Sequence, residues 1–387
     1  MARSWIPRTE VLDRLGVKPQ TLYAYVSRGR IAAKPDPDDP RRSLYAAEDV
    51  TRLADRSVKH GKPQALGGGA VSARGETVID SALTSITDGR IYYRGKDAVT
   101  LAETATLEQA ARVLWDAEED PFADLKPRVD VSFGGGPRVR AFQVLARRAE
   151  EDSTTVGRAD RSLRREAASV LNELVDALSG GGPRLYLHQR LARLWKLEER
   201  DAALIRRALV LSADTDLGAP AVVARTAAAA GAPLSAAVLA ALTAQIGPPY
   251  GGRLNQTIAY VAEARRGADP RAIARQRLAQ GLELPGFGHP LFPDGDPRAR
   301  ALIEAMRLPE EMADIVRVGE GLTGQAPNFD MALALLGRQL DLPKDSMFAV
   351  QVTGRAVGWL GHALEQVASG SPIRARLRYV GNEPEIG

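Results

Sequence analysis

The chain has no cysteine, which excludes disulfides, thiolate catalysis and cysteine-ligated zinc together. Histidine is scarce too: 4 in 387 residues, scattered as His60, His188, His289 and His362, so a histidine metal site is not expected. No run of about 18 consecutive apolar residues is present to span a bilayer. Residues 1–30 lack a basic segment followed by an apolar one, which argues against a secretory leader and makes the cytoplasm the expected compartment. With 44% hydrophobic residues the composition is that of a globular protein, and the length predicts two or three folded units.

Charge is unevenly spread. The formal net charge is +4, yet residues 1–62 hold 13 Lys/Arg against 8 Asp/Glu while the remainder is close to neutral. The basic excess therefore belongs to the N-terminal segment. There, "RTEVLDRLGVKPQTLYAYVSRGRI" (8–31) reads as one short helix with Thr9 as N-cap and a stop at Gly16, then a second helix from Pro19 with Leu22 and Val26 facing inward. Two short helices joined by a glycine-containing turn make a helix-turn-helix. A proline-rich basic loop and a further helix from about Ala46 follow, as in a winged variant, and the stretch resembles the MerR/excisionase type. The resemblance places Lys18, Gln20, Thr21, Tyr23 and Arg28 on or near a DNA recognition helix, with Arg41 and Arg42 approaching phosphates from the wing. Docking of another protein is the alternative use of such a module. The glycine-rich stretch 57–75 reads as a linker.

From residue 76 onward one β signal appears, a hairpin turning at Asp88-Gly89. The rest predicts helices near 107–116, 138–150, 160–179, 186–197, 200–211, 219–231, 234–246, 252–266, 297–307, 309–321, 328–340 and 346–369, separated by Gly and Pro. The fold class is thus all-α. The alanine-rich helices between 219 and 246 are apolar nearly all round and suit burial in a large bundle or a subunit interface.

Chemistry concentrates late in the chain. "PGFGHPLFPDGDPR" (285–298) fixes His289 in a rigid turn, where it suits a general acid. Asp330 stands in the first turn of an apolar helix whose dipole is expected to favour its ionised form. Arg355 lies on a helix of small and apolar residues and needs an anionic partner. With Arg298 and the terminal Arg374, Arg376 and Arg378, these residues suit a small polycarboxylate handled by proton transfer. His362 and His188 are expected to be structural, His60 belongs to the linker, and the charges of 160–169 fit a solvated helix face.

In order, "ITDGRIYYRG", "LHQRLARLW", "LSADTDLGAPAVVAR", "GPPYGG", "GFGHPLFPDGDPRA", "PNFDMALALL", "GRAVGWLGHALEQ" and "IRARLRYVG" resemble the citrate synthase family over residues 76–381. The resemblance implies a homodimer with a large and a small helical domain and a small β-hairpin, here 76–387 with the small domain inserted at roughly 255–345. A winged helix-turn-helix domain at 1–56 precedes it. It implies no metal, no permanently bound cofactor, and a CoA thioester as co-substrate with a 2-oxo acid. Asp330 matches the family's base, His289 its acid, and Arg298, Arg355 and, across the dimer, Arg374 its carboxylate-binding arginines. Gly286, Phe287 and Gly288 match the loop assigned to CoA. Two family histidines are replaced, one by Thr215 at a substrate contact and one by Tyr250 at the donor to the enolate oxygen, while Asp216 and Gly218 stand for a glutamate and an asparagine. Pro290 and Pro293 follow His289 where the family often has basic residues for CoA phosphates. The implied activity is condensation of acetyl-CoA, or a related acyl-CoA, with oxaloacetate or a related 2-oxo acid; the alternative is a metabolite-sensing DNA-binding regulator built on the same fold.

Overall fold

The computed structural model of the chain describes residues 5–15, 22, 26, 31–36, 43–50, 70–71, 77–125, 134–181, 185–267, 269–374 and 379–382. Two compact units divide after residue 67.

In the first unit, β1 (Trp5–Pro7), β2 (Ala33–Pro35) and β3 (Ser43–Ala46) form an antiparallel sheet in the order β1-β3-β2, with α1 (Arg8–Leu15) following β1 directly. Ile6, Val11, Leu22, Ile31, Tyr45 and Val50 bury together as its own small core. Leu22 and Val26 do contribute inward, as their spacing predicts. The helix begins at Arg8, so Thr9 lies inside it and is not its cap. Lys18, Gln20, Thr21, Tyr23, Arg28, Arg41 and Arg42 lie outside the described residues.

The second unit opens with β4 (Ala70–Val71) paired to β5 (Thr77–Val78), so the predicted linker contains a strand near its end. The hairpin follows as β6 (Thr84–Thr87) and β7 (Arg90–Tyr93), turning through Asp88 and Gly89 at φ of 51° and 69°. Positive φ at both positions gives the turn a twist that matches its strands. A third strand, β8 (Lys96–Asp97), adds to β7.

Helices make up the rest of the unit, and every predicted helix is present within three residues of its expected ends: α3 (Leu107–Leu114), α4 (Pro137–Glu151), α5 (Asp160–Ser179), α6 (Leu187–Leu194), α7 (Glu199–Ser212), α8 (Ala219–Ala229), α9 (Leu234–Gln245), α10 (Arg253–Arg266), α12 (Pro297–Met306), α13 (Glu310–Thr323), α14 (Phe329–Gln339) and α15 (Ser346–Ser369). Two further helices carry weaker patterns. α2 (Ala98–Thr104) is short, and α11 (Pro270–Ala279), "PRAIARQRLA", buries only Ala274. Side-chain caps start both, Asp97 accepting from Thr100 N and Asp269 from Arg271 N.

α15 is the axis of the packing, touching α3, α5, α7, α8 and α9. Three glycines allow the approach. A Cβ on Gly354 would stand 2.4 Å from Ser212 Cβ, one on Gly358 2.4 Å from Ala213 O, and one on Gly361 2.6 Å from Leu83 Cδ2. α15 therefore lies against the C-terminal end of α7 at backbone distance, which is what brings Arg355 and His362 onto the segment after α7. Substituting Gly358 with alanine is expected to destabilise the protein by about 1–3 kcal/mol, the cost of overpacking a tight core. A thermal melt showing no loss of stability would refute this account of the close approach.

Candidate functional site

Three loops meet at one cavity of about 390 Å³. Thr215, Asp216 and Gly218 enter from the α7–α8 connection, Tyr250 and Arg253 from the turn into α10, and His289 from the glycine-rich loop. Asp330 enters from α14, Gln351 and Arg355 from α15, and Arg298 from α12. Of the residues expected from the sequence, His289, Asp330, Tyr250, Thr215, Arg298 and Arg355 are thus brought together. Arg374 is exposed and does not line the cavity of its own chain.

Pairing of two loops sets the His289–Asp330 relation. Gly288 N donates to Ala326 O and Asn328 N to Gly286 O, both at 2.9 Å, around a bridge between Phe287 and Pro327. Asn328 adds a donation from Nδ2 to Gly288 O at 3.0 Å and caps α14 by accepting from Asp330 N and Met331 N. One side chain thus ties the histidine loop to the helix start that carries the carboxylate.

Gly286 and Gly288 hold φ of 92° and 70°, and a Cβ would stand 2.7 Å from Thr257 Cγ2 at the first and 2.4 Å from Gln325 Oε1 at the second. Phe287 is buried, and its ring fills the space above Gly319. None of Gly286, Phe287 and Gly288 lines the cavity; the structure uses all three to hold the loop. Gly288→Ala is expected to cost about 1–3 kcal/mol from backbone strain alone and to displace His289. A variant with wild-type melting temperature and wild-type ligand binding would contradict that role.

Burial pushes the Asp330 carboxyl up to about 6, against the pull of Arg298 and Arg253. This reverses the expectation that the helix end would favour its ionised form. The amides of Asp330 and Met331 are taken by Asn328 Oδ1, so they do not solvate the carboxylate, and desolvation prevails. Its contact is Gln351, whose Nε2 approaches Oδ1 at 3.5 Å and whose Oε1 accepts from Gln245 Nε2 at 3.2 Å.

His289 is half-buried, and burial with the nearby Arg298 lowers its basicity. Leu291 N donates to His289 Nδ1 at 3.2 Å. A backbone N–H can only donate, so Nδ1 is the acceptor and the proton of the neutral ring sits on Nε2. The ring packs at 5.1 Å against Phe292.

Both inner arginines already have counter-ions. Arg298 forms a fork with Asp296, from Nε to Oδ1 at 3.0 Å and from Nη2 to Oδ2 at 2.7 Å, between the rings of Phe292 and Phe329. Arg355 donates through Nη1 to Asp214 Oδ1 at 3.2 Å and Thr215 Oγ1 at 2.9 Å. Asp214, fully buried, also accepts from Thr84 Oγ1 at 2.7 Å and has His362 Nε2 at 3.3 Å. Burial alone would raise its pKa, but His362 and Arg355 hold it well below the usual carboxylate range. The sequence shows the need of Arg355 for an anion but not that Asp214 meets it; an aspartate inside the apolar run "LVLSADTDLG" is the signal it offers. Asp296 is visible there only as a helix start. His188 and His362 are buried, in line with structural roles.

Tyr250 sits in a π-helical turn, Pro248–Gly252, that runs on into α10. Such turns recur at functional sites. Gly251 is required there, since a Cβ would lie 2.8 Å from Gln245 O. The phenol oxygen accepts from Ala219 N at 2.9 Å, leaving its O–H to donate into the cavity. Gly218 makes room for the ring: a Cβ would already touch Tyr250 Cε1 and its hydroxyl oxygen at 3.4 Å, and a longer side chain would have to displace one of them.

No group of three or more His, Cys, Asp or Glu placed to hold a metal ion occurs among the described residues, and no described helix is long and apolar enough to cross a membrane.

Residues 148–376 match the family model for the citrate synthase C-terminal domain. Citrate synthase 2 of Bacillus subtilis (strain 168) is 29% identical over 191 residues, 46% of this chain and 51% of that protein. The 2-methylcitrate synthase of Shewanella oneidensis is 26% identical over 186 residues, 46% of this chain and 50% of that protein. The chain spans about half the length of the curated relatives it matches. Citrate synthase from Thermoplasma acidophilum, solved as a ternary complex with carboxymethyl coenzyme A and oxaloacetate, superposes with a TM-score of 0.63 at 17% identity, covering 80% of this chain and 95% of that one. Fold, family model and relatives agree: the chain belongs to the citrate synthase family.

Proposed function

We propose that this cavity joins the α-carbon of an acyl thioester, acetyl-CoA or a close relative, to the ketone carbon of oxaloacetate or a related 2-oxo acid. The observation that carries the reading is the pairing, in one cavity, of a carboxyl held near 6 by burial with a neutral histidine that keeps its Nε2–H. Ionised Asp330 takes a proton from the α-carbon, and the carbon–hydrogen electron pair becomes the enolate. That carbon attacks the ketone, whose oxygen becomes alkoxide as His289 donates to it. The proton removed by Asp330 balances the one that ends on the product hydroxyl. Water then cleaves the product thioester and frees the CoA thiol. Tyr250 donates to the enolate oxygen, and the free edges of Arg298 and Arg355 take carboxylates, with Thr215 beside Arg355. Dimerisation, through which Arg374 would reach a partner's cavity, belongs to this reading.

Thiol release on mixing the protein with acetyl-CoA and oxaloacetate tests it. Release that requires both substrates is the expected result; none at high protein concentration would sink the reading. Because Asp330 must be ionised, kcat/KM is expected to fall about tenfold per pH unit below pH ~6. A profile flat down to pH 5 would remove Asp330 as the base. The relatives include a 2-methylcitrate synthase, so propionyl-CoA belongs in the same assay. For the first unit, the basic excess of residues 1–62 supports DNA contact, and salt-dependent DNA retention that disappears when those residues are deleted is the corresponding test.

A further inference from the structure

Three arginines line the cavity, and only one of them is uncommitted. Arg298 has spent its Nε/Nη2 edge on Asp296, and Arg355 has spent Nη1 on Asp214 and Thr215. Arg253 lines the same cavity, is exposed to it, and its guanidinium has no hydrogen-bond or ion-pair partner among the described residues. It stands three residues after Tyr250, at the point where the π-helical turn becomes α10, so the two side chains are delivered by one rigid element. Its charge is felt at both reacting groups, pulling down the Asp330 carboxyl and the His289 imidazole.

Charge flow in the reaction says what such a cation is for. When Asp330 takes the proton, its negative charge does not vanish but moves to the thioester oxygen of the enolate. A neutral phenol at Tyr250 meets that oxygen with one hydrogen bond, and the inner arginines are already balanced by buried aspartates. We propose that Arg253 acts with Tyr250 as the stabilising pair for the enolate oxygen, supplying the uncompensated positive charge that the phenol lacks. This rests on the condensation reading above for its chemistry. An unpaired guanidinium offers all five N–H donors in a water-accessible cavity and carries no structural pairing to lose on substitution.

Carboxymethyl-CoA separates this role from phosphate binding, because it adds a single carboxylate next to the sulfur of a molecule that is otherwise CoA. Calorimetric titration of the full chain in the presence of oxaloacetate is the measurement. Arg253→Gln is expected to weaken carboxymethyl-CoA about 10–100-fold, the scale of a lost charged hydrogen bond, and to leave CoA itself within twofold. Arg253→Lys should recover part of the difference. Equal losses for the two ligands, no loss for either, or no binding of carboxymethyl-CoA by the wild type would each overturn the proposal. The readout needs no turnover. If the carboxymethyl-to-CoA preference depends on Arg253 but no thiol is released from acetyl-CoA, Arg253 stands as the anion-binding group beside the thioester and the condensation reading, with the enolate it supplies, falls. If thiol is released and the preference is unchanged by the substitution, the condensation reading stands and the stabilising pair falls.

Discussion

Asp330→Asn is expected to lower thiol release by about 10³-fold, within the 10²–10⁴-fold range for loss of a positioned general base, while making the folded protein more stable at neutral pH. The two effects have one cause. Burial holds the folded-state pKa near 6 against an ordinary value of 3.8, so ionising this carboxyl is harder in the folded protein than in the unfolded chain. A carboxyl with a raised folded pKa makes the native state bind protons that the unfolded state has released. Stability therefore declines as pH rises from the unfolded pKa through about 6, and above that the full cost is present. Asparagine cannot ionise and removes the cost, worth about 1–3 kcal/mol at pH 7. It also keeps an amide able to face Gln351. Activity assays and denaturant melts at pH 5 and pH 8 check both halves: the stability gain over wild type should be larger at pH 8. An inactive variant with no gain at pH 8 would mean the carboxyl is not strained, and an active one would mean it is not the base.

What the sequence makes legible follows the range of each interaction. Local signals suffice for the helix ends at Gly and Pro, the Asp88-Gly89 hairpin, and the residues around His289, Asp330, Arg298 and Arg355 that meet in one cavity. Pairings between distant segments are not legible, because apolar periodicity records which face is buried and not what it is buried against. Asp214 and Arg355 are 141 residues apart, and the Asn328 tether between the histidine loop and α14 crosses 40 residues. The wrong sign for Asp330 is the instructive case. A helix start favours a carboxylate when its N–H groups are free to reach it, and here Asn328, two positions earlier, claims two of them. Arg253 is hidden for the opposite reason: a single arginine after "GPPYGG" looks like an ordinary surface charge until its lack of a partner and its place in the cavity are seen together.

Asp214→Ala is expected to be the most destabilising single change at the site, at about 3–5 kcal/mol, because it leaves the largely enclosed guanidinium of Arg355 without its counter-ion. Four groups converge on this carboxylate or its backbone: Arg355, Thr84, His362, and Tyr93, whose hydroxyl donates to Asp214 O at 3.1 Å. Arg355 would then have only Thr215 to hold it, and its free edge would no longer be aimed into the cavity. Binding of a dicarboxylate 2-oxo acid should weaken along with stability, and the two losses can be separated. Asp214→Asn keeps the shape and an acceptor for Thr84 but not the charge, so it should retain more stability than alanine while binding the oxo acid poorly. The pH dependence carries a definite sign. A folded pKa held below the ordinary value contributes stability that is fully present above the unfolded pKa near 4 and is lost as pH falls toward the folded one. The wild type should therefore lose its advantage over Asp214→Asn progressively below pH ~4, and a difference that stays constant from pH 7 to pH 3 would show that shape, not charge, is what this aspartate supplies.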